Sequence, residues 1–184
     1  CAASNRWYRD TFGGDFKELD EQAGSVERGC EGLFFHPYLQ GEITPYLDDR
    51  LRASFTGAAG FHTKAHFNRA VLEGVAYSMK DCYETLKDMG IAPQTAVGIG
   101  GGMKSALWRQ IMADMLNIPL STVKNIDSSL GSAMLAGVAV GVFDSHSDAV
   151  KRCVAEAGVT TPDPRGAAFY NERFKLYKEI AAAL

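Results

Sequence analysis

The segment Thr95 to Asn117, TAVGIGGGMKSALWRQIMADMLN, constrains the fold more than any other part of the chain. A short apolar run, TAVGIGG, reads as a strand that ends in glycines, and Ser105 to Leu116 reads as an amphipathic helix. A strand that turns through glycine into a helix is a corner and also a binding device. Glycine accepts positive φ and lets a ligand approach the backbone, while the new helix offers N–H groups and the positive end of its dipole. A tight βα turn that holds no ligand accounts for the same residues.

Two nucleotide patterns come close and stay open on the residues alone. Gly98 to Ser105 follows G-x-x-x-x-G-K-[ST], except that Met103 stands where the second glycine belongs. A methionine there adds a side chain where the loop must wrap phosphate, and no convincing Asp-ended strand follows to hold magnesium. Gly98 and Gly100 also begin G-x-G-x-x-G, with Met103 in the third glycine's place and Asp127 as the later acidic residue. That pattern suggests a dinucleotide-binding oxidoreductase domain.

The rest of the chain places this turn in an α/β architecture. Ala2–Phe12 and Asp15–Gly29 read as helices, Gly32–Leu39 as a buried strand running into a loop, and Leu51–Gly57 as a short strand. From Thr63 to Met89 the residues Phe67, Val71, Val75, Met79, Cys82 and Leu86 recur every three or four positions, an apolar helical stripe stopped by Gly90. PLSTVK reads as a strand, and Ser128–Phe143 as a helix rich in Gly and Ala, with Ala133–Phe143 a candidate for burial. Asp148–Ala157 and Pro164–Leu184 read as further helices. Strands alternating with helices argue for a sheet covered by helices, thin at three or four strands.

Composition narrows the function classes. A chain of 184 residues with 46% hydrophobic and 22% charged residues suits one globular domain. A formal charge of −3 gives no general attraction to nucleic acid or to an anionic membrane. No apolar run has membrane-spanning length. Cys1, Cys30, Cys82 and Cys153 are scattered with no C-x-x-C pair, so neither a zinc site nor a disulfide framework is expected, and reduced thiols in the cytoplasm are. His36, His62, His66 and His146 form no spaced metal set. No signal peptide is visible, and the opening at Cys1 without methionine suggests a piece of something longer.

Four ordered segments resemble the FGGY family of carbohydrate kinases, over about Ala2 to Leu184. In GIGGGMKSALWRQIMADMLNIPL the residues Gly100, Gly101, Gly102, Lys104, Ser105, Trp108, Gln110, Ala113, Asp114 and Pro119 match the family's adenosine-contacting segment. ASFTGAAGFHTKAHFNRAVLE is similar to a second signature, through Ala53, Phe55, Gly57, His66, Phe67 and Ala70 to Glu73. GLFFHPYLQGEITPYLDD and SSLGSAMLAGVAVGVF are similar to the family's strand and loop and to its Gly-Ala-rich helix. The branch it most resembles is that of xylulokinase-type pentulose kinases.

The resemblance implies an actin-like (ribonuclease H-like) fold with a mixed sheet flanked by helices. It implies that residues 1–184 are one domain, most of the C-terminal nucleotide-binding domain, without the sugar-binding N-terminal domain. ATP is then the cofactor, held at Gly100, Gly101, Gly102, Lys104 and Ser105, with Mg2+ ligands, sugar pocket and catalytic base in the absent domain. Gly100 and Gly101 would let adenine and ribose lie against backbone, and Ser105 would hydrogen-bond the base or serve only as a helix cap. Trp108 reads as core, Glu73 as a partner for backbone across the domain, and His66 as a cap or core residue. Asp48 and Asp49 read as a solvated turn. Ile43, Leu47 and Ala58 depart from the family pattern. The loss of the usual arginine at Ile43 removes charge-assisted contacts from that loop. A non-catalytic actin-like interaction module, and self-association of the isolated chain, are the remaining expectations.

Overall fold

The computed structural model describes residues 2–124, 127 and 129–184. Helix α3 (Lys64–Asp88) is the spine of the fold, built on the apolar stripe read from the sequence. One stretch of it packs with Tyr8, Leu19, Cys30, Leu33 and Phe35 through Ala70 and Val71. The next turn enters a second cluster through Leu72, Val75, Ala76 and Tyr77, with Trp108, Ile111, Met115, Tyr170 and Tyr177. Helices α1 (Ala2–Phe12) and α2 (Phe16–Gly24) therefore flank one side of α3, while α4 (Ala106–Leu116) and α7 (Pro164–Ala181) flank another.

Strand β1 (Phe34–His36) is wholly buried and pairs antiparallel with β2 (Ser54–Thr56), with Phe35 opposite Phe55. It lies directly on α3, because a Cβ at Gly74 would sit 2.1 Å from the Phe35 carbonyl oxygen. A buried polar knot fixes the same region. The Glu73 carboxylate accepts from Gly29 N at 3.1 Å, Arg69 Nε at 2.8 Å and Tyr170 OH at 2.9 Å. Arg69 also donates to the Ala23 and Val26 carbonyls at the end of α2. The expected backbone role of Glu73 is thus what the fold contains.

The second sheet has the order β3-β4-β5. Strands β3 (Ala96–Gly98) and β4 (Leu120–Val123) are parallel, with α4 as their crossover, and β5 (Glu156–Thr160) is antiparallel to β4. The sheet is mixed, as expected. Its Ala96–Leu120 side turns toward α4, while Val97, Ser121 and Val159 line up on the other face, where Val97 is 62% exposed.

Three local expectations need correction. The helix expected to run through Gly29 ends at Gly24, because the backbone turns after it so that the Gly29 amide reaches Glu73. The helix expected over Asp148–Ala157 is α6 (His146–Cys153), and residues from Glu156 onward form β5. Pairing with β4 overrides the local alanines, and Val159 and Thr160 were the available signal. Helix α5 (Ser129–Ala139) contains no buried residue, and Leu135 is 60% and Val140 77% exposed. The expected burial of Ala133–Phe143 fails because α5 packs beside α6 and under the Phe143 ring, which only Gly137 admits. Ser128 lies outside the described residues.

Cys30, Cys82 and Cys153 are unpaired thiols, and Cys1 lies outside the described residues. Burial, with Glu73 nearby, pushes the Cys30 thiol far up, so it is an inert core residue. Among the described residues no helix is long and apolar enough to cross a membrane.

Candidate functional site

The glycine turn sits at the carboxyl end of β3, at the mouth of the β3-α4-β4 unit, where open α/β sheets place ligands. Residues Gly101–Lys104 form a 3-10 turn closed by Met103 N to Gly100 O and Ser105 N to Gly102 O, each 3.1 Å. Arg109 reaches back from α4 and donates to the Met103 carbonyl at 2.5 Å, which ties the turn to the helix that follows it.

The glycines of this turn do different work. A Cβ at Gly98 would meet Met103 Sδ at 2.1 Å, so the methionine folds inward over the buried strand end and joins the core. A Cβ at Gly102 would meet Trp108 Cζ3 at 1.9 Å. Trp108 is 5% exposed, and its Nε1 donates to the Leu72 carbonyl at 3.2 Å, so it is core as expected. At Gly100 and Gly101 a Cβ would meet nothing within 4 Å. Gly100 has φ +87, a conformation side chains rarely adopt. Two glycines therefore serve internal packing and two face open space.

Ser105 is both cap and connector. Its Oγ accepts from Trp108 N at 2.9 Å, the N-cap bond of α4, and donates to Asp20 Oδ1 at 2.5 Å. Lys104 is exposed on the last residue of the turn. Asp20 was not among the residues singled out by sequence reading. It belongs to α2, 85 positions from Ser105, and no local pattern marks it.

The two nucleotide patterns left open now separate. Met103 cannot leave room for phosphate inside the loop, since its thioether fills the space over Gly98. Asp127 accepts from Ser129 N at 2.9 Å, a bond that holds its carboxyl below the usual range and uses it at the start of α5.

Other singled-out residues have internal roles. His66 Nδ1 accepts from Thr63 N at 3.2 Å, which leaves Nε2 to donate to Glu31 at 3.0 Å, so it is a helix-start residue. Asp48 is held down to about 2 by its bonds with exposed Arg50, a solvated turn as expected. Ile43 and Leu47 are exposed, on a loop moored where Tyr46 donates to Asp81 at 2.5 Å. Among the described residues no group of three or more His, Cys, Asp or Glu side chains is placed to hold a metal ion. A separate cleft of about 570 Å3, lined by Lys80, Lys87, Asn117 and Asn171 among others, opens where α4 ends, opposite the turn.

Comparison with known proteins follows the same lines. Residues 2–140 match the model of the C-terminal domain of the FGGY family of carbohydrate kinases. A xylulose kinase of Staphylococcus epidermidis is 36% identical over 180 residues, covering 96% of this chain and 36% of the relative. Among solved structures, a ligand-bound xylulose kinase from Lactobacillus acidophilus superposes with a TM-score of 0.90 at 32% identity, covering 100% of this chain and 38% of that one. A gluconate kinase from the same organism gives 0.88 at 33% identity, covering 99% and 38%. The chain thus spans little more than a third of the length of these relatives.

Proposed function

The chain belongs to the FGGY family of carbohydrate kinases, with an actin-like fold, and from that premise we propose that residues 1–184 form a single domain that holds the adenosine of ATP for a sugar kinase. The observation that carries this reading is the division of labour in the glycine turn. Gly98 and Gly102 are committed inward, and Gly100 and Gly101 present bare backbone to open space. A flat base and ribose suit such a surface, and a triphosphate wrapped inside the turn does not. Gly100 and Gly101 bound the nucleoside, Gly102 lets Trp108 close beneath it, Lys104 stands at the rim, and Ser105 faces the base.

The reaction served is transfer of the γ-phosphoryl group of ATP to a hydroxyl of a sugar such as xylulose, with gluconate as the other substrate suggested by relatives. A carboxylate takes the hydroxyl proton, and closure around the substrates excludes water as a competing acceptor. Magnesium, when bound, neutralises charge on the phosphate oxygens. The turn offers amides, one lysine and a paired Ser105–Asp20, which does not fit a magnesium site; in this proposal the metal, base and sugar are held by the rest of the kinase. The 184-residue chain alone is then inactive. The place of work is the cytoplasm, and the aligned, exposed Val97 and Val159 support self-association of the isolated chain.

Calorimetric titration of the purified chain with ATP, ADP and NAD tests the reading, with Gly101→Val alongside. Adenine nucleotides should bind in preference to NAD, and the valine should weaken them at least about tenfold by filling the open space. Preference for NAD, or indifference to Gly101→Val, would sink it. A coupled assay with xylulose or gluconate should show no sugar-dependent ATP turnover by the chain alone.

A further inference from the structure

We propose that the cleft where α4 ends is a second ligand site, one that takes a phosphate monoester with a hydroxylated body, such as a sugar phosphate. The inference does not depend on the adenosine reading. The cleft has a volume of about 570 Å3, within the range of small-molecule sites. It lies at the Leu116 end of α4, whereas the glycine turn lies at the Ser105 end, about 16 Å away along the 11 residues of the helix.

The charge of its wall is unbalanced. Lys80, Glu84 and Lys87 are the charged residues that line it. Glu84 Oε1 accepts from Lys80 Nζ at 3.1 Å and Oε2 from Lys87 Nζ at 2.8 Å, so one carboxylate serves two ammonium groups and one positive charge is left over. A spare lysine in water is ordinary, but the Lys80 side chain is only 5% exposed. Asp81, next in the chain, is taken by Tyr46 and Lys178, and the Phe174 ring, 5.2 Å from Lys80 Nζ, offsets only part of the charge. A nearly buried ammonium that shares its counter-ion is unfavourable, and an anion in the cleft corrects it. Each ammonium carries three hydrogens and gives one to Glu84, so donors for that anion are present as well as charge. The last turn of α4 and the first turn of α7 both border the cleft, and their opposed dipoles leave the lysines to set its sign.

The rest of the lining suits a hydroxylated ring. Met115, Leu116 and Ala167 are buried and give the cleft an apolar floor. Asn117 and Asn171 are exposed and bring amides, each able to donate and to accept, to its edge. A sugar presents C–H faces to the first set and hydroxyls to the second, while its phosphate reaches the lysine pair. A bare phosphate ion would meet the lysines and leave most of the cleft to water.

Calorimetric titration of the 184-residue chain with glucose 6-phosphate, glucose and inorganic phosphate tests the site. Glucose 6-phosphate should bind at least about tenfold more tightly than either of the others, because only it engages both the lysines and the edge. Lys87→Ala removes an exposed ammonium and leaves Glu84 paired with Lys80, so the chain stays folded and the spare charge is gone. It should weaken glucose 6-phosphate at least about tenfold, the worth of one hydrogen bond to a charged group. Asn171→Ala should weaken glucose 6-phosphate and leave inorganic phosphate unchanged. Gly101→Val should leave glucose 6-phosphate binding as it is, which separates this site from the glycine turn. The assignment is overturned if glucose 6-phosphate does not bind, if glucose or inorganic phosphate binds as tightly, or if Lys87→Ala has no effect on its affinity. Loss of binding in Gly101→Val would overturn it too, by placing the ligand at the turn.

Discussion

Gly101 and Gly102 are adjacent, chemically identical and predicted to behave in opposite ways when each gains one methyl group. At Gly102 the new Cβ lies 1.9 Å from Trp108 Cζ3 and 2.5 Å from Cε3, well inside any real contact. The indole cannot give way cheaply, because it is packed between α3 and α4 and its Nε1 is bonded to the Leu72 carbonyl at 3.2 Å. Overpacking a core of this kind costs about 1–3 kcal/mol. Displacing the ring also releases its hydrogen bond, which adds about 1 kcal/mol. Gly102→Ala should therefore lower unfolding stability by about 2–4 kcal/mol. At Gly101 the same Cβ meets nothing within 4 Å, and the backbone is not in the positive-φ region. Gly101→Ala should leave stability within about 1 kcal/mol of the native chain, on the stable side if the unfolded chain loses freedom. Urea unfolding followed by far-ultraviolet circular dichroism measures both. The reasoning is refuted if Gly102→Ala melts with the native chain, or if Gly101→Ala is equally damaging, since either would mean that the two glycines do not divide between packing and open surface.

Three further perturbations test the surrounding structure. Arg69→Met should cost about 3–5 kcal/mol in the same assay, because it leaves the buried Glu73 carboxylate without its cation and removes the bonds to the Ala23 and Val26 carbonyls; a loss under about 1 kcal/mol would contradict the buried-pair reading. Ser105→Ala should remove about 1 kcal/mol through loss of the α4 cap, read as a lower urea midpoint with an unchanged slope. His36 is buried against Tyr177, and burial lowers its pKa below the unfolded value near 6.5 although its bond to the Tyr177 carbonyl opposes this. A depressed histidine contributes stability above the unfolded value and loses it as pH falls toward the folded one. The native chain should thus lose stability on going from about pH 7 to pH 5, and His36→Gln should flatten that slope; parallel slopes would exclude His36 as the source.

The residues themselves carried much of this protein. A glycine-ended apolar run before a helix specifies a βα corner wherever it occurs, because φ freedom and helix periodicity are local properties. The stripe on α3 likewise specifies its buried side, since side-chain direction repeats with the helix. The ordered motifs fixed the family and the place of the turn within it. Three things lay beyond that reach. The start of β5 was hidden because Glu156–Gly158 has no strand preference of its own and is extended by pairing with β4. The exposure of α5 was hidden because apolar composition records what a helix can bury and says nothing of whether a neighbour lies across it. The roles of the glycines, and the presence of Asp20 beside Ser105, were hidden because both depend on what another part of the chain brings to the turn. Local sequence sets which conformations a residue can take; only the packed structure decides which atoms it meets, and at this turn those meetings separate the glycines that hold the fold from those that face a ligand.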